Sequence, residues 1–316
     1  MAPTAYDPPV VARDYAEYTA EARRRFDELW AVRRGLADRQ RRAVEGVGHA
    51  LRHGSMDRAI PERRLLYLDL TGPRPLAAIA LGDLDTASHI TWHLQGVGIT
   101  PDTAMWGTVR EAGQVLLEQR RVGAPNPASI AWLGYRPPGY LMALSAIHAK
   151  AGVPRFVEDY LRLQRFRPDR PHLALEGHSY GSIVAVLALE HLARVMPPGQ
   201  PLVDAVVSTG SPGLPSRFRD SVESLRIRDE RLFDAVARSD YIARAGRWLG
   251  QLSGARSRVG RELGVEARPE LGLHPVTGHN SSHFVPGSLQ SVYGYRDPGT
   301  TSLRNIARVT TGLAPI

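Results

Sequence analysis

Apolar positions set two periods along this chain. From Val10 to about Leu51 they recur every three or four residues, at Tyr15, Tyr18, Ala22, Phe26, Leu29, Trp30 and Val32, then at Val44, Val47 and Leu51. That is the spacing of amphipathic helices, and Gly35 divides the stretch into two. From residue 65 onward the apolar residues come instead in short runs bounded by Gly, Pro and Asp. Residues 65–70 and 76–81 read as strands joined by a Gly-Pro-Arg-Pro turn, an antiparallel hairpin, and 90–94 as a third strand. A helix is predicted over 108–123, a strand over 129–135 and an Arg-rich helix over 153–170. Strands follow at 173–175, 204–208 and 232–237, and a last helix at 303–311 is ended by Gly312. Strands alternating with helices from about residue 90 predict the α/β class, with a mostly parallel sheet and helices on both faces. The expected division is an N-terminal helical segment, 1–60, packed on a main domain, 61–316. The Pro-rich residues 1–9 are expected to be mobile or strapped on the surface.

The stretch 172–190 carries the strongest local signal. An apolar strand ends in Gly177-His-Ser-Tyr-Gly181, and an apolar helical run through Ile183, Val186, Leu187 and Leu189 follows at once. Gly-x-Ser-x-Gly is short enough to arise by chance, but a strand before it and a helix after it are the layout of a nucleophile elbow. Ser179 would project above the sheet from strained backbone. The backbone N–H of Tyr180, opening the helix, would face an oxyanion formed on a carbonyl attacked by Ser179. The glycine turn Gln95-Gly-Val-Gly98 after the third strand offers a second donor, the N–H of Val97, with Gly96 allowing close backbone approach.

A serine hydroxyl needs a base, and the base an orienting acid, in the chain order Ser, Asp or Glu, His. Asp240 follows the strand at 232–237, where the carboxyl ends of α/β strands border the ligand cleft. Asp234 inside that strand and Asp229 before it are less well placed. The competing reading of Asp240 is a surface helix N-cap. Three histidines follow, His274, His279 and His283; His279 is the first choice of base and His283 the second. Their spacing of four would suit a metal pair on a helix, but Gly278, Asn280, Ser281 and Ser282 mark a loop, and no carboxylate accompanies them. A metal pair is also conceivable for His89 and His93 on one strand face, with core or cleft histidines the plainer reading. His178 reads as structural. Arg136-Pro-Pro-Gly with Tyr140, Leu141 and Leu144 would border the cleft.

Composition narrows the classes. The chain has 316 residues, 43% hydrophobic and 23% charged, which fits a globular domain. It has no cysteine, which excludes a disulfide framework, a thiolate metal site and a Cys nucleophile. No run approaches the roughly 20 apolar residues of a membrane span, and no secretory signal is visible, so a cytoplasmic location is expected. The net charge of +8 comes almost wholly from arginine, Lys150 being the one lysine, interleaved with Asp and Glu. Solvated ion-pairing faces explain this better than nucleic acid, for which no motif is present.

Taken together, the pieces resemble the actinobacterial α/β-hydrolases long catalogued as a domain of unknown function. The matching residues are Leu81-Gly-Asp-Leu-Asp-Thr-Ala87, Trp132-Leu-Gly-Tyr135, Gly177-His-Ser-Tyr-Gly-Ser182, Ser208-Thr-Gly-Ser-Pro-Gly213 and Ser302-Leu-Arg-Asn-Ile-Ala307, over about 65–312. The resemblance implies an α/β-hydrolase fold with a Ser-Asp-His site and agrees with Ser179 and Asp240 in those roles. Two departures stand out: the glycine loop, Pro-Gly-Met-Gly in the family, is Gln95-Gly-Val-Gly98 here, and 284–296 reads as an insertion, which leaves His279 and His283 both open.

The expectation is therefore a serine hydrolase acting on a small-molecule carboxylic ester, lactone or related acyl compound, needing no metal or organic cofactor. An acyl transferase would use the same groups. A non-catalytic binding protein on a hydrolase scaffold would use the basic helices at 10–51 as its surface, on a partner or an anionic membrane. The Arg- and Gly-rich stretch 241–273 is expected to be a flap.

Overall fold

Eight strands form the central sheet of the computed structural model, which describes residues 12–52, 54, 56–139, 143, 145–285 and 290–316. In chain order the strands are β1 (Arg63–Asp69), β2 (Leu76–Leu81), β3 (His89–Leu94), β4 (Pro127–Leu133), β5 (His172–His178), β6 (Ala205–Thr209), β8 (Leu232–Ala235) and β10 (Arg261–Glu262). They lie side by side in the order β1-β2-β4-β3-β5-β6-β8-β10. Only β2 runs against its neighbours, β1 and β4; the remaining pairs are parallel. A separate two-stranded ribbon pairs β7 (Leu214–Pro215) with β9 (Arg256–Ser257). The sheet is thus the mostly parallel α/β sheet that the run pattern predicts.

The two faces of the sheet bury different sets of residues, because alternate strand residues point opposite ways. On one face Trp92, Ile130, Trp132, Leu173, Leu175 and Val206 pack against α4 (Ile147–Phe166) and α5 (Gly181–Val195). On the other, Ile79 and Ala131 meet α2 (Asp38–Leu51) and α3 (Pro101–Arg121), while Ala174, Val207 and Phe233 meet α7 (Thr301–Thr310). The first helix, α1 (Tyr15–Val32), buries Tyr15, Tyr18, Ala22 and Phe26, and α2 buries Ala43, Val44, Val47 and Ala50. The apolar faces of these basic helices are therefore covered by this chain's own sheet and helices. Their arginines face outward and pair along the helix, as Arg23 does with Asp27 at 3.0 Å.

Several boundaries differ from the sequence pattern. Helix α3 starts at Pro101, seven residues before the apolar periodicity does, because a Thr100–Thr103 capping box with Pro101 in the first turn begins it. Helix α4 begins at Ile147, six residues before the predicted helix over 153–170, and runs through Pro154; its first residues expose Ile147 and so carry no apolar stripe. The stretch 241–273 is no simple flap. It contains the 12-residue helix α6 (Tyr241–Leu252), then β9 and β10, of which β10 closes the sheet edge with two exposed charged residues. Residues 1–9, Tyr140, Leu141 and Leu144 lie outside the described residues.

Candidate active site

Strand β5 ends at His178 and α5 begins at Gly181, leaving Ser179 at the bend with φ +53°, a left-handed conformation for a residue with a Cβ. Such backbone costs on the order of 1–3 kcal/mol and persists only where surroundings impose it. Here the Ser179 N–H donates to Thr209 O at 2.7 Å, and the Ser182 hydroxyl donates to Ser179 O at 2.6 Å. Strand and helix nearly touch: a Cβ at Gly177 would lie 2.6 Å from Ser182 Cα, and one at Gly181 would lie 2.2 Å from Leu94 O. Both motif glycines are sterically required.

Three candidates from distant parts of the chain form one hydrogen-bonded line. Ser179 Oγ is 3.0 Å from His279 Nε2, and His279 Nδ1 is 2.9 and 3.0 Å from the two carboxylate oxygens of Asp240. Asp240 does cap α6, accepting the Ala243 N–H at 2.9 Å, but it is buried, so the cap and the histidine contact coexist in one carboxylate. The alternative acids are elsewhere: Asp234 chelates Arg247 at 2.7 and 2.8 Å, and Asp229 sits in a turn with φ +49°. His283 is not brought to the serine in these contacts; its N–H donates to Asp297 at 2.9 Å.

Residues 293–297 hold the histidine loop, a role that no local sequence pattern marks. The Tyr295 hydroxyl donates to Asp240 Oδ2 at 2.7 Å and accepts the Ala237 N–H at 3.0 Å. Backbone N–H groups of Tyr295 and Arg296 donate to Asn280 O and Ser281 O. The buried Asp297 carboxylate gathers the N–H groups of His283, Phe284 and Gly294, the Ser282 hydroxyl and the Gln290 amide. The segment that reads as an insertion thus ends in the staple for the loop bearing His279.

A buried charge network lies beneath. Arg296 bonds Glu176 and, at 2.9 Å, Glu111; Glu176 also meets His93 at 3.1 Å and the Thr209 hydroxyl at 2.8 Å. Burial pushes the Glu176 carboxyl up, but the adjoining Arg296 and His93 outweigh it and hold Glu176 at about 2. Burial, then the charge of Arg296 and the neighbouring His279, drive His178 well below the usual histidine range. His178 is therefore neutral; its ring lies 5.2 Å from that of His279 and 5.7 Å from that of Tyr295. The sequence signals for this layer are Glu176, an acid inside an apolar strand, and His93, which reads as a core or cleft histidine. His93 is engaged by Glu176 and Ser129, and His89 by Ser88, at the other end of β3. Among the described residues no group of three or more His, Cys, Asp or Glu is arranged to hold a metal.

On the other side of Ser179 lies the turn at 95–98. A Cβ at Gly96 would stand 2.8 Å from Ser179 Cβ, so glycine is what lets this backbone approach the serine. The Tyr135 hydroxyl, from just beyond β4, anchors the turn through Gln95 O at 2.7 Å. Gly96, Val97 and Tyr180 line a pocket of about 640 Å³ that also contains Ser179 and His279. Its outer wall comes from α6, through Ile242, Gly246 and Leu249. Such a site can bind an apolar group and present a polar bond to a serine oxygen backed by an imidazole.

Comparison with protein families agrees with this architecture. A family model described as alpha/beta hydrolase matches residues 73–249. An uncharacterized protein of Mycobacterium tuberculosis H37Rv is 29% identical over 238 residues, covering 71% of this chain and 85% of the relative, and one from Mycobacterium bovis matches equally. Among solved structures, EstE5 soaked with p-nitrophenyl butyrate is 12% identical with a TM-score of 0.42, covering 85% of this chain and 89% of that one. An esterase from the fungus Rhizomucor miehei is 11% identical with a TM-score of 0.39, covering 81% and 88%.

Proposed function

The chain belongs to the α/β-hydrolase family, and from that premise we propose that it is a serine hydrolase that cleaves a carboxylic ester or related acyl compound through an acyl-enzyme on Ser179. The observation that carries the reading is the unbroken line from Ser179 Oγ through the His279 ring to Asp240.

The chemistry follows from that line. His279 Nε2 accepts the hydroxyl proton as Ser179 Oγ bonds to the substrate carbonyl carbon, and the carbonyl electron pair moves onto oxygen. Asp240 keeps the other ring proton on Nδ1, which leaves Nε2 free as acceptor, and stabilises the imidazolium that forms. The oxyanion is met by the N–H groups of Tyr180 and Val97, donors that need no reorganisation as charge develops. Collapse expels the alcohol, which takes the proton from His279. Water then repeats the sequence with the same base, releasing the acid and restoring Ser179. The neutral His178 beside His279 adds no competing positive charge. The residues carry this sequence without a metal or organic cofactor.

A fluorophosphonate probe tests the reading directly. We expect labelling of the wild type at Ser179 and none of Ser179→Ala, with hydrolysis of p-nitrophenyl esters lost in Ser179→Ala and His279→Ala. Folded wild-type protein that takes no label and cleaves no acyl ester would refute it.

A further inference from the structure

Helix α6 packs the wrong way round for a core helix. Its inward side consists of small residues: Ala243 and Gly250 are buried, and Gly246 sits so close to Pro212 that a Cβ would lie 2.7 Å from its ring. The large apolar residues point outward. Tyr241, Ile242, Trp248, Leu249 and Leu252 are 40–74% exposed, and at 100° per residue they fall on one arc of the helix. A contiguous apolar face of this kind on a protein surface marks a place where something else is met.

Charge and continuity say what that is. Of the five arginines from Arg238 to Arg258, Arg256 is buried, Arg247 is held by Asp234 and Arg258 pairs with Glu262, while the one acid in that span, Asp240, is buried at the candidate site. Arg238 and Arg244 are exposed beside the apolar arc, Arg238 with the exposed Glu266 3.6 Å away. Apolar side chains that include a tryptophan and a tyrosine, flanked by arginine, are the complement of an anionic lipid surface. The same face runs into the site: Ile242 and Leu249 are exposed on α6 and also line the pocket that holds Ser179. A second copy of the chain seated here would cover the pocket wall, whereas a lipid surface both covers the face and supplies an acyl substrate.

We infer that α6 docks the protein on an anionic lipid surface and that the substrate is an amphiphilic acyl lipid drawn from it into the adjoining pocket. The substrate half of this inference rests on the proposed serine-hydrolase reading; the docking half stands without it.

Vesicle flotation of the full chain, with phosphatidylcholine alone or with added phosphatidylglycerol, tests the docking. Binding is expected to the mixed vesicles and to weaken with salt. Trp248→Ser and Leu252→Ser should each lower it on the order of tenfold, and Arg244→Glu by roughly fivefold or more. The two serine variants remove only exposed side chains, so circular dichroism and hydrolysis of a water-soluble short p-nitrophenyl ester should match the wild type. Absence of binding, or equal binding by all variants, overturns the inference. So does a concentration-dependent dimer, seen by light scattering, that Trp248→Ser dissolves. Vesicle binding together with no acyl cleavage and no fluorophosphonate label would instead sink the enzyme reading and leave the docking surface standing.

Discussion

The Tyr295 hydroxyl lies 2.7 Å from Oδ2 of Asp240, and both side chains are buried. Because that hydroxyl also accepts the Ala237 N–H, its own proton is committed to the carboxylate. Asp240 is thereby fixed from three directions, by Tyr295, by the Ala243 N–H and by His279. Tyr295→Phe removes one support without opening a cavity and strands the Ala237 N–H. Stability should fall by about 1–3 kcal/mol. If Asp240 orients the base, kcat on a p-nitrophenyl ester should fall roughly tenfold with KM nearly unchanged. A variant that melts earlier but turns over at the wild-type rate would make Tyr295 purely structural.

Gly96 faces the other side of the serine. An alanine there places its Cβ 2.8 Å from Ser179 Cβ and 3.2 Å from His178 O, and neither neighbour is the end of a flexible side chain. The turn must move away from Ser179, and the Val97 N–H with it. Gly96→Ala should slow fluorophosphonate labelling by about two orders of magnitude while the fold is kept. Labelling at the wild-type rate would remove the turn from the oxyanion site.

The bend at Ser179 makes a prediction that opposes stability to activity. At φ +53° a glycine is at ease and an alanine is not. Ser179→Gly should therefore be more stable than Ser179→Ala by about 1 kcal/mol in urea unfolding, with both inactive. Equal stabilities would mean that the elbow is less strained than its dihedral angle indicates.

What could be read from the chain divides by the distance over which residues act. The strand, bend and helix around Ser179 depend on neighbours within about ten residues, so Gly177, Ser179 and Gly181 declare themselves. Asp240 and His279 could be nominated from chain order and loop composition, yet nothing local separated His279 from His283. That choice rests on Asp297, which takes the His283 N–H, and on Tyr295, whose N–H goes to Asn280 O. The network under the site joins Arg296 to Glu111 and Glu176, residues 185 and 120 positions away, and left only the acid in β5 and His93 as traces. Helix α6 differs in kind. Tyr241, Ile242, Trp248, Leu249 and Leu252 do have the spacing of an amphipathic helix, but the arginines and glycines among them read as a flap.

Arg296 gives the sharpest test of the buried layer, because its removal should reverse the sign of a pH dependence. In the wild type Glu176 is held at about 2, below its ordinary 4.5, against the upward push of burial. The folded state therefore gains from the ionised carboxylate above about pH 4.5 and loses that gain as pH falls toward 2, a contribution on the order of 3 kcal/mol. Arg296→Met leaves Glu176 and Glu111 buried without their cation, which should cost about 3–5 kcal/mol near neutral pH. In that variant burial dominates, so the Glu176 carboxyl is pushed above its ordinary value. The unfolded chain then ionises more readily than the folded one, and the contribution of Glu176 declines as pH rises through 4.5. Urea unfolding at about pH 7 and about pH 4.5 should show the gap between wild type and variant narrowing on acidification. A gap that is constant across that range would mean that Arg296 supports the core by packing alone, and that the charge of Glu176 is compensated elsewhere.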